Sequence, residues 1–137
     1  MANRTYFRPR RQEVNQGRLL IDLYDGALEY LQQARNQMVA KKYANRNLLM
    51  NRALQILEEL SHSLNTEKGG DLAEKLNNLY ILCSARLLQA NQRMNVEDLD
   101  SVVTILTRLR AAYARFPELS RRSCNVEVRN VLAETGV

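Results

Sequence analysis

Apolar side chains recur along this chain at steps of three and four residues, and they do so in four successive blocks. In the first block Leu20, Leu23, Ala27, Leu31, Ala34 and Met38 fall on one line. That is the seam of an amphipathic helix, predicted to start with Asn15 as N-cap and to run to about Lys42. A polar stretch from Lys41 to Asn47 breaks the pattern. It resumes with Leu49, Ala53, Ile56, Leu57, Leu60 and Leu64 on one face of a second helix ending near Leu64. The third block carries Leu72, Leu76, Leu79, Cys83, Leu87 and Ala90. The fourth carries Leu99, Val102, Val103, Leu106, Leu109 and Tyr113, with Arg110 close to the stripe near the helix end.

The boundaries between blocks are written in turn chemistry. Asn65 is the expected C-cap of the second helix, and Gly69-Gly70 is the expected turn, since glycine takes positive φ without steric cost. Asp71 with Glu74 forms the D-x-x-E spacing of a capping box and marks the start of the third helix there. Asn95 is placed to cap the fourth, with Glu97 and Asp98 favourable to its dipole. Pro117 stops it. Four helices of about 20 residues joined by short connections predict an all-α, antiparallel up-down-up-down four-helix bundle. Residues 15–116 form that domain. Residues 1–14 form an arm without apolar period, and 117–137 a tail in which Val128, Val131 and Leu132 allow a short helix.

Composition narrows the class. The chain has 137 residues, with 5 Gly and 2 Pro, enough for one core and poor in helix breakers. No apolar run of membrane-spanning length exists and the N-terminus lacks the apolar region of a secretory signal, so the cytosol is the expected compartment. Cys83 and Cys124 read as two reduced thiols, Cys83 as a small core residue. The net charge of +5 is concentrated: residues 1–18 hold five Arg against one Glu. Such an arm suits nucleic acid, an anionic surface or an acidic partner, and a helical nucleic-acid-associated regulator is the alternative functional class. The near-neutral body and the absence of a helix with clustered Arg or Lys argue against it.

Little catalytic chemistry is encoded. His62 is the single histidine. Glu59-x-x-His62 matches one half of a carboxylate-bridged metal element, but such sites need two. With Leu60 and Leu64 facing the core, His62 faces solvent. Asp22 with Asp25, and Asp98 with Asp100, have no base, nucleophile or phosphate loop beside them and read as solvated helix surface. No catalytic residue, metal or cofactor is expected.

Apolar surface, by contrast, is in surplus. Ile21 and Leu28 are seven residues apart and off the first seam; Ile81 and Leu88 repeat that arrangement on the third helix. The residues of a second stripe of this kind are covered by the chain's own tails, singly exposed, or part of a groove for an amphipathic segment of another chain.

Several strings here resemble the FliS family of flagellar export chaperones: Leu19-Leu20-Ile21-Asp22-Leu23-Tyr24-Asp25-Gly26-Ala27, Ser63-Leu64-Asn65, Glu67-Lys68-Gly69-Gly70-Asp71-Leu72-Ala73, Leu79-Tyr80, Arg86-Leu87 with Ala90-Asn91, and Leu106-Thr107-Arg108-Leu109-Arg110. The resemblance spans about residues 17–113. It implies a cytosolic bundle that binds the disordered C-terminal segment of flagellin, prevents premature polymerisation and delivers it to the flagellar type III export apparatus, without catalysis. A flagellar export-gate protein is a further candidate partner. In the family an arm with a tyrosine like Tyr6 covers part of the groove. Together the pattern and the resemblance nominate Tyr6, Ile21, Tyr24, Leu28, Leu64, Asn65, Leu72, Tyr80, Ile81, Leu87, Leu88 and Asn91 as client-contacting residues. The sequence departs from the family at Asn15-Gln16, where Ser-Pro is common, and at Tyr113, where tryptophan is common. The Arg-rich arm and the tail after Pro117 lie outside the usual pattern, the tail as a candidate mimic of client.

Overall fold

The computed structural model describes residues 16–124. Tyr6, the predicted Asn15 cap, the basic arm and the Val128–Leu132 segment lie outside them. Five helices follow one another: α1 Gln16–Val39, α2 Arg46–His62, α3 Thr66–Arg93, α4 Val96–Arg115 and the short α5 Glu118–Ser123. α1 packs on α2 and α4, and α3 packs on the same two helices, so the four long helices close a ring around one core.

Cross-helix contacts fix the directions. In the first hairpin Arg52 lies over the Tyr30 ring while Ile56 approaches Gly26. Between α1 and α4, Arg35 meets Asp100 and Asp25 meets Arg110. Between α2 and α3, Arg46 meets Asn91 and Ser61 meets Asn77. In each pair one residue number rises as the other falls, so neighbouring helices are antiparallel, as the pattern predicted. The seams supply the core: Leu20, Leu23, Ala27, Leu31, Ala34 and Met38 of α1 are all buried, as are Leu49, Ala53, Ile56, Leu57 and Leu60 of α2. Met50, off the predicted seam, joins them. In α3 the stripe is shifted, because Ala73 and Tyr80 are buried while Leu72 and Leu79 are half-buried.

The helix ends correct three expectations. α1 stops at Val39, short of Lys42. Lys41 takes φ 58, the Lys42 N–H reaches the Gln37 carbonyl at 2.9 Å and the Lys41 N–H reaches that of Met38 at 3.1 Å. This is a Schellman stop with lysine in the left-handed position that glycine usually fills, so no glycine advertised it. α2 stops at His62, with Ser63 as its C-cap. Asn65 is then not a C-cap but the N-cap of α3, its side-chain oxygen accepting from the Lys68 N–H at 2.9 Å.

The expected break at the glycines is present, with a short helical turn ahead of it: α3 begins at Thr66, and Gly70 interrupts it as a kink between two helical pieces. Gly70 holds φ 50 and ψ −127, a region closed to side chains with a Cβ. Asp71 and Glu74, both exposed, follow the Gly70 break, while Asn65 caps the turn that precedes it. Asn95 does cap α4 as predicted, accepting from the Asp98 N–H at 3.1 Å.

α5 was not predicted. Pro117 ends α4 and opens α5, which lies across the end of the bundle against α3, α1 and α4. Its last residue runs straight into an antiparallel bridge between Cys124 and Leu64, with the Asn65 N–H on the Ser123 carbonyl at 2.9 Å. Gly69 permits that closeness. A Cβ there would stand 3.0 Å from the Arg122 carbonyl and 3.1 Å from Ser123 Cα.

Candidate binding groove

The α2–α3 hairpin carries an open groove of about 390 Å³ lined by Leu54, Leu57, Glu58, Ser61, Tyr80, Ile81, Ser84 and Leu88. Its outer wall is a consequence of helix geometry. Seven residues make nearly two turns, so Ile81 and Leu88 stack on one line along α3, displaced from the Leu76–Cys83–Leu87 seam that faces the core. Ile81 is 58 % exposed and Leu88 57 %, and Leu82 beside them is also exposed. Two large aliphatic side chains held in water at the lip of a concave apolar surface are the chief spare hydrophobic area of α3. Burying each against a partner is worth about 1.5–3 kcal/mol.

The stripe on α1 has a different fate. Ile21 and Leu28 are partly buried and pack against the core. Tyr24, nominated as a surface contact, is 0 % exposed. Its hydroxyl shares a hydrogen bond with that of Tyr80 on the opposite helix, and its ring lies 5.6 Å from that of Tyr113. Tyr80 is likewise buried, its ring contributing to the floor of the groove. Burial pushes the hydroxyl pKa of all three tyrosines upward, with neighbouring phenols and thiols adding to the effect. They stay protonated and serve as hydrogen-bonding core residues. Leu87 also belongs to the core and contributes no surface.

The remaining nominated residues lie at the two ends of the hairpin. Leu64, half-buried, pairs through its backbone with Cys124, and Asn65 is committed to its cap; Leu72 is half-buried nearby. Asn91, at the far end, accepts from Arg46 Nε at 2.5 Å and donates to Asn47 Oδ1 at 2.9 Å, which ties α3 to the start of α2. Gly69 and Gly70 shape the kink below the groove. The structure therefore brings Tyr80, Ile81 and Leu88 together in one surface, with Leu64 and Asn91 beyond its ends, and removes Tyr24 and Leu87 to the interior. Sequence reasoning missed Leu54 and Ser84. Leu54 was visible as an apolar residue off the α2 seam, whereas Ser84 gives no signal in a one-dimensional pattern.

The aspartates also change role. Asp25 takes Arg110 in a two-pronged pair, 2.6 Å and 3.2 Å, and Arg35 binds Asp100 the same way at 2.7 Å and 3.1 Å. These clamps join α1 to α4 and are structural. Asp22 is 4 % exposed and far from solvated: burial raises its pKa to about 6, opposed by Arg18, whose Nε is 3.4 Å away. His62 is exposed, as its place opposite Leu60 requires. Among the described residues no group of three His, Cys, Asp or Glu is placed to hold a metal ion. The two cysteines are free and buried, and burial pushes the Cys83 thiol up to about 11. Among the described residues no helix is long and apolar enough to cross a membrane.

A helical bundle whose spare feature is an apolar groove, with two Arg–Asp clamps holding α1 to α4, has the build of a binding module. Comparison with known proteins agrees. The family model for the flagellar protein FliS matches residues 1–119. The flagellar secretion chaperone FliSB of Pseudomonas aeruginosa is 34 % identical over 101 residues, covering 74 % of this chain and 80 % of that protein. The flagellar secretion chaperone FliS of Vibrio cholerae is 30 % identical over 95 residues, 69 % of this chain and 70 % of that one. That of Salmonella typhimurium is 32 % identical over 92 residues, 66 % and 68 %. The chain belongs to the FliS family, a family of flagellar secretion chaperones and not of enzymes.

Proposed function

We propose that this protein is a cytosolic export chaperone for flagellin. It holds the disordered C-terminal segment of the subunit in the α2–α3 groove, keeps it from polymerising, and passes it to the flagellar type III export apparatus. The observation that carries this reading is the exposed Ile81–Leu88 pair on the groove wall. An amphipathic segment that folds on binding presents apolar residues at i, i+3 or i+4, and i+7, the spacing at which Ile81 and Leu88 stand. Folding on binding costs the client about 2–5 kcal/mol of the gross interaction energy, which keeps the complex releasable. Release matters for a subunit that must later be handed to an export-gate protein.

The test is co-purification of this chain with flagellin, for the unsubstituted protein and for Ile81→Asp and Leu88→Asp. Both variants should lose flagellin while keeping their helical circular dichroism. Retention of flagellin by both folded variants would remove the groove from the mechanism.

A further inference from the structure

We propose that the tip of the α1–α2 hairpin is a second docking surface, and that it takes an acidic, partly apolar segment of a partner protein. Charge at this tip has one sign. From Tyr30 to Leu57 the chain carries Arg35, Lys41, Lys42, Arg46 and Arg52 and no acidic residue. Arg35 is spent on Asp100 of α4. Among the described residues no ion pair takes up the other four. The neighbouring helix supplies no acid either: Arg46 Nε donates to Asn91 of α3, and α3 lacks Asp and Glu from Lys75 to Arg93. The acids at this end of the bundle, Glu97, Asp98 and Asp100, belong to α4, which stands diagonal to α2 in the ring.

The same tip leaves apolar surface bare. Val39, Tyr43 and Leu48 are three of the seven exposed large hydrophobic residues among the described ones, and all three flank one connection. The Arg46 guanidinium lies over the Tyr43 ring, 5.2 Å from its centre, so a cation is seated on the apolar patch itself. Between α1 and α2 runs an open notch of about 410 Å³, lined by the side-chain amides of Gln33, Asn36, Gln37 and Asn45 with Leu48 and Leu49. This lining selects among anions. The phosphate oxygens of a lipid or a nucleic-acid backbone only accept hydrogen bonds, whereas side-chain amides offer acceptors as well as donors. Gln37 Oε1 is buried and meets no hydrogen-bond partner among the described residues, so it calls for a donor. A peptide main chain brings N–H groups and carbonyls in alternation and meets both needs. Carboxylates on that segment then reach Lys41 and Lys42, and its apolar side chains cover Leu48 and Tyr43. The surface is separate from the flagellin groove, since no residue lines both.

The test is amide NMR of the full chain, titrated with a probe peptide of about ten alternating Asp, Leu, Glu and Phe residues. At low salt the peptide should shift Val39, Tyr43, Leu48 and the Gln37 side-chain amide with a Kd below about 1 mM. Lys41→Glu/Lys42→Glu should weaken binding by about tenfold or more, Leu48→Ser should weaken it severalfold, and both should keep the helical circular dichroism. Raising the salt to about 0.5 M should weaken it too. A peptide with Lys in place of the acids should leave the tip signals unmoved. Leu88→Asp should bind the acidic peptide as the unsubstituted chain does, even where flagellin is lost, which separates this surface from the groove. No shifts at the tip, or shifts confined to the groove around Ile81 and Leu88, overturn the proposal. So does tighter binding at the tip by an oligothymidylate or by phosphatidylglycerol vesicles, since the partner is then a nucleic acid or a lipid surface.

Discussion

Inside the bundle the hydroxyls of Tyr24 and Tyr80 face each other across the core, each buried and each the other's partner. A buried polar pair behaves asymmetrically: removing one member strands the other at about 1–3 kcal/mol, while removing both costs little. Tyr24→Phe and Tyr80→Phe should each lower stability by about that amount, and the double variant should lose less than the sum, as read by urea denaturation. Additive losses would mean the two hydroxyls are independently satisfied. Asp22 provides a second test. Its folded pKa, raised by burial to about 6, lies above its unfolded value near 3.8, so the folded state holds the proton more tightly. Its contribution is most favourable below pH 4 and is lost as pH rises through 6. Asp22→Asn should therefore be more stable to urea than the unsubstituted protein at pH 7.5, by on the order of 1 kcal/mol, with the advantage shrinking toward pH 5. An advantage independent of pH would remove titration as its cause. Neither feature was legible beforehand. Tyr24 and Asp22 lie in a string whose pattern marks Leu20, Leu23 and Ala27 as core, but whether a polar residue beside a seam faces water or a neighbouring helix depends on rotations that sequence spacing leaves open.

At the level of elements, the α2–α3 hairpin shows what the sequence made visible and what it did not. A turn near residues 63–71 was legible from Asn65 and Gly69-Gly70, because caps and glycines are local chemistry. Their assignment was not, since Asn65 serves α3 only because α2 has already stopped on Ser63. The two glycines have separable jobs. Gly70→Ala meets no neighbouring atom but must hold φ 50 and ψ −127, so it should cost about 1–3 kcal/mol through backbone strain and leave α5 in place. Gly69→Ala pushes a methyl against the Ala73 Cβ, the Arg122 carbonyl and Ser123 Cα. It should cost about 1–3 kcal/mol by overpacking and loosen α5. Hydrogen exchange of the Asn65 amide, which reports the bond to Ser123, distinguishes the two. Equal protection in both variants would contradict this division. α5 itself escaped notice because six residues are too few to show a periodic face; it is held by contacts with three helices and a bridge to Leu64, all of them made by tertiary packing that no local pattern announces.

For the whole molecule, the four seams sufficed to predict the bundle, because each helix buries one stripe and short connections force neighbours antiparallel. They did not suffice to predict which surplus residues stay bare. Ile21 with Leu28 and Ile81 with Leu88 look alike in sequence; in the fold the first pair packs against the core and the second stands at the groove. The functional reading turns on that difference, and it assigns the client to the α2–α3 face. The most direct measurement is calorimetric titration of this chain with a peptide of about the last 40 residues of the host's flagellin, a length suited to a segment wrapping on a groove. Binding with a Kd in the micromolar range or tighter is predicted, weakened at least tenfold by Leu88→Asp in a folded bundle. No heat and no co-elution at tens of micromolar would contradict the account.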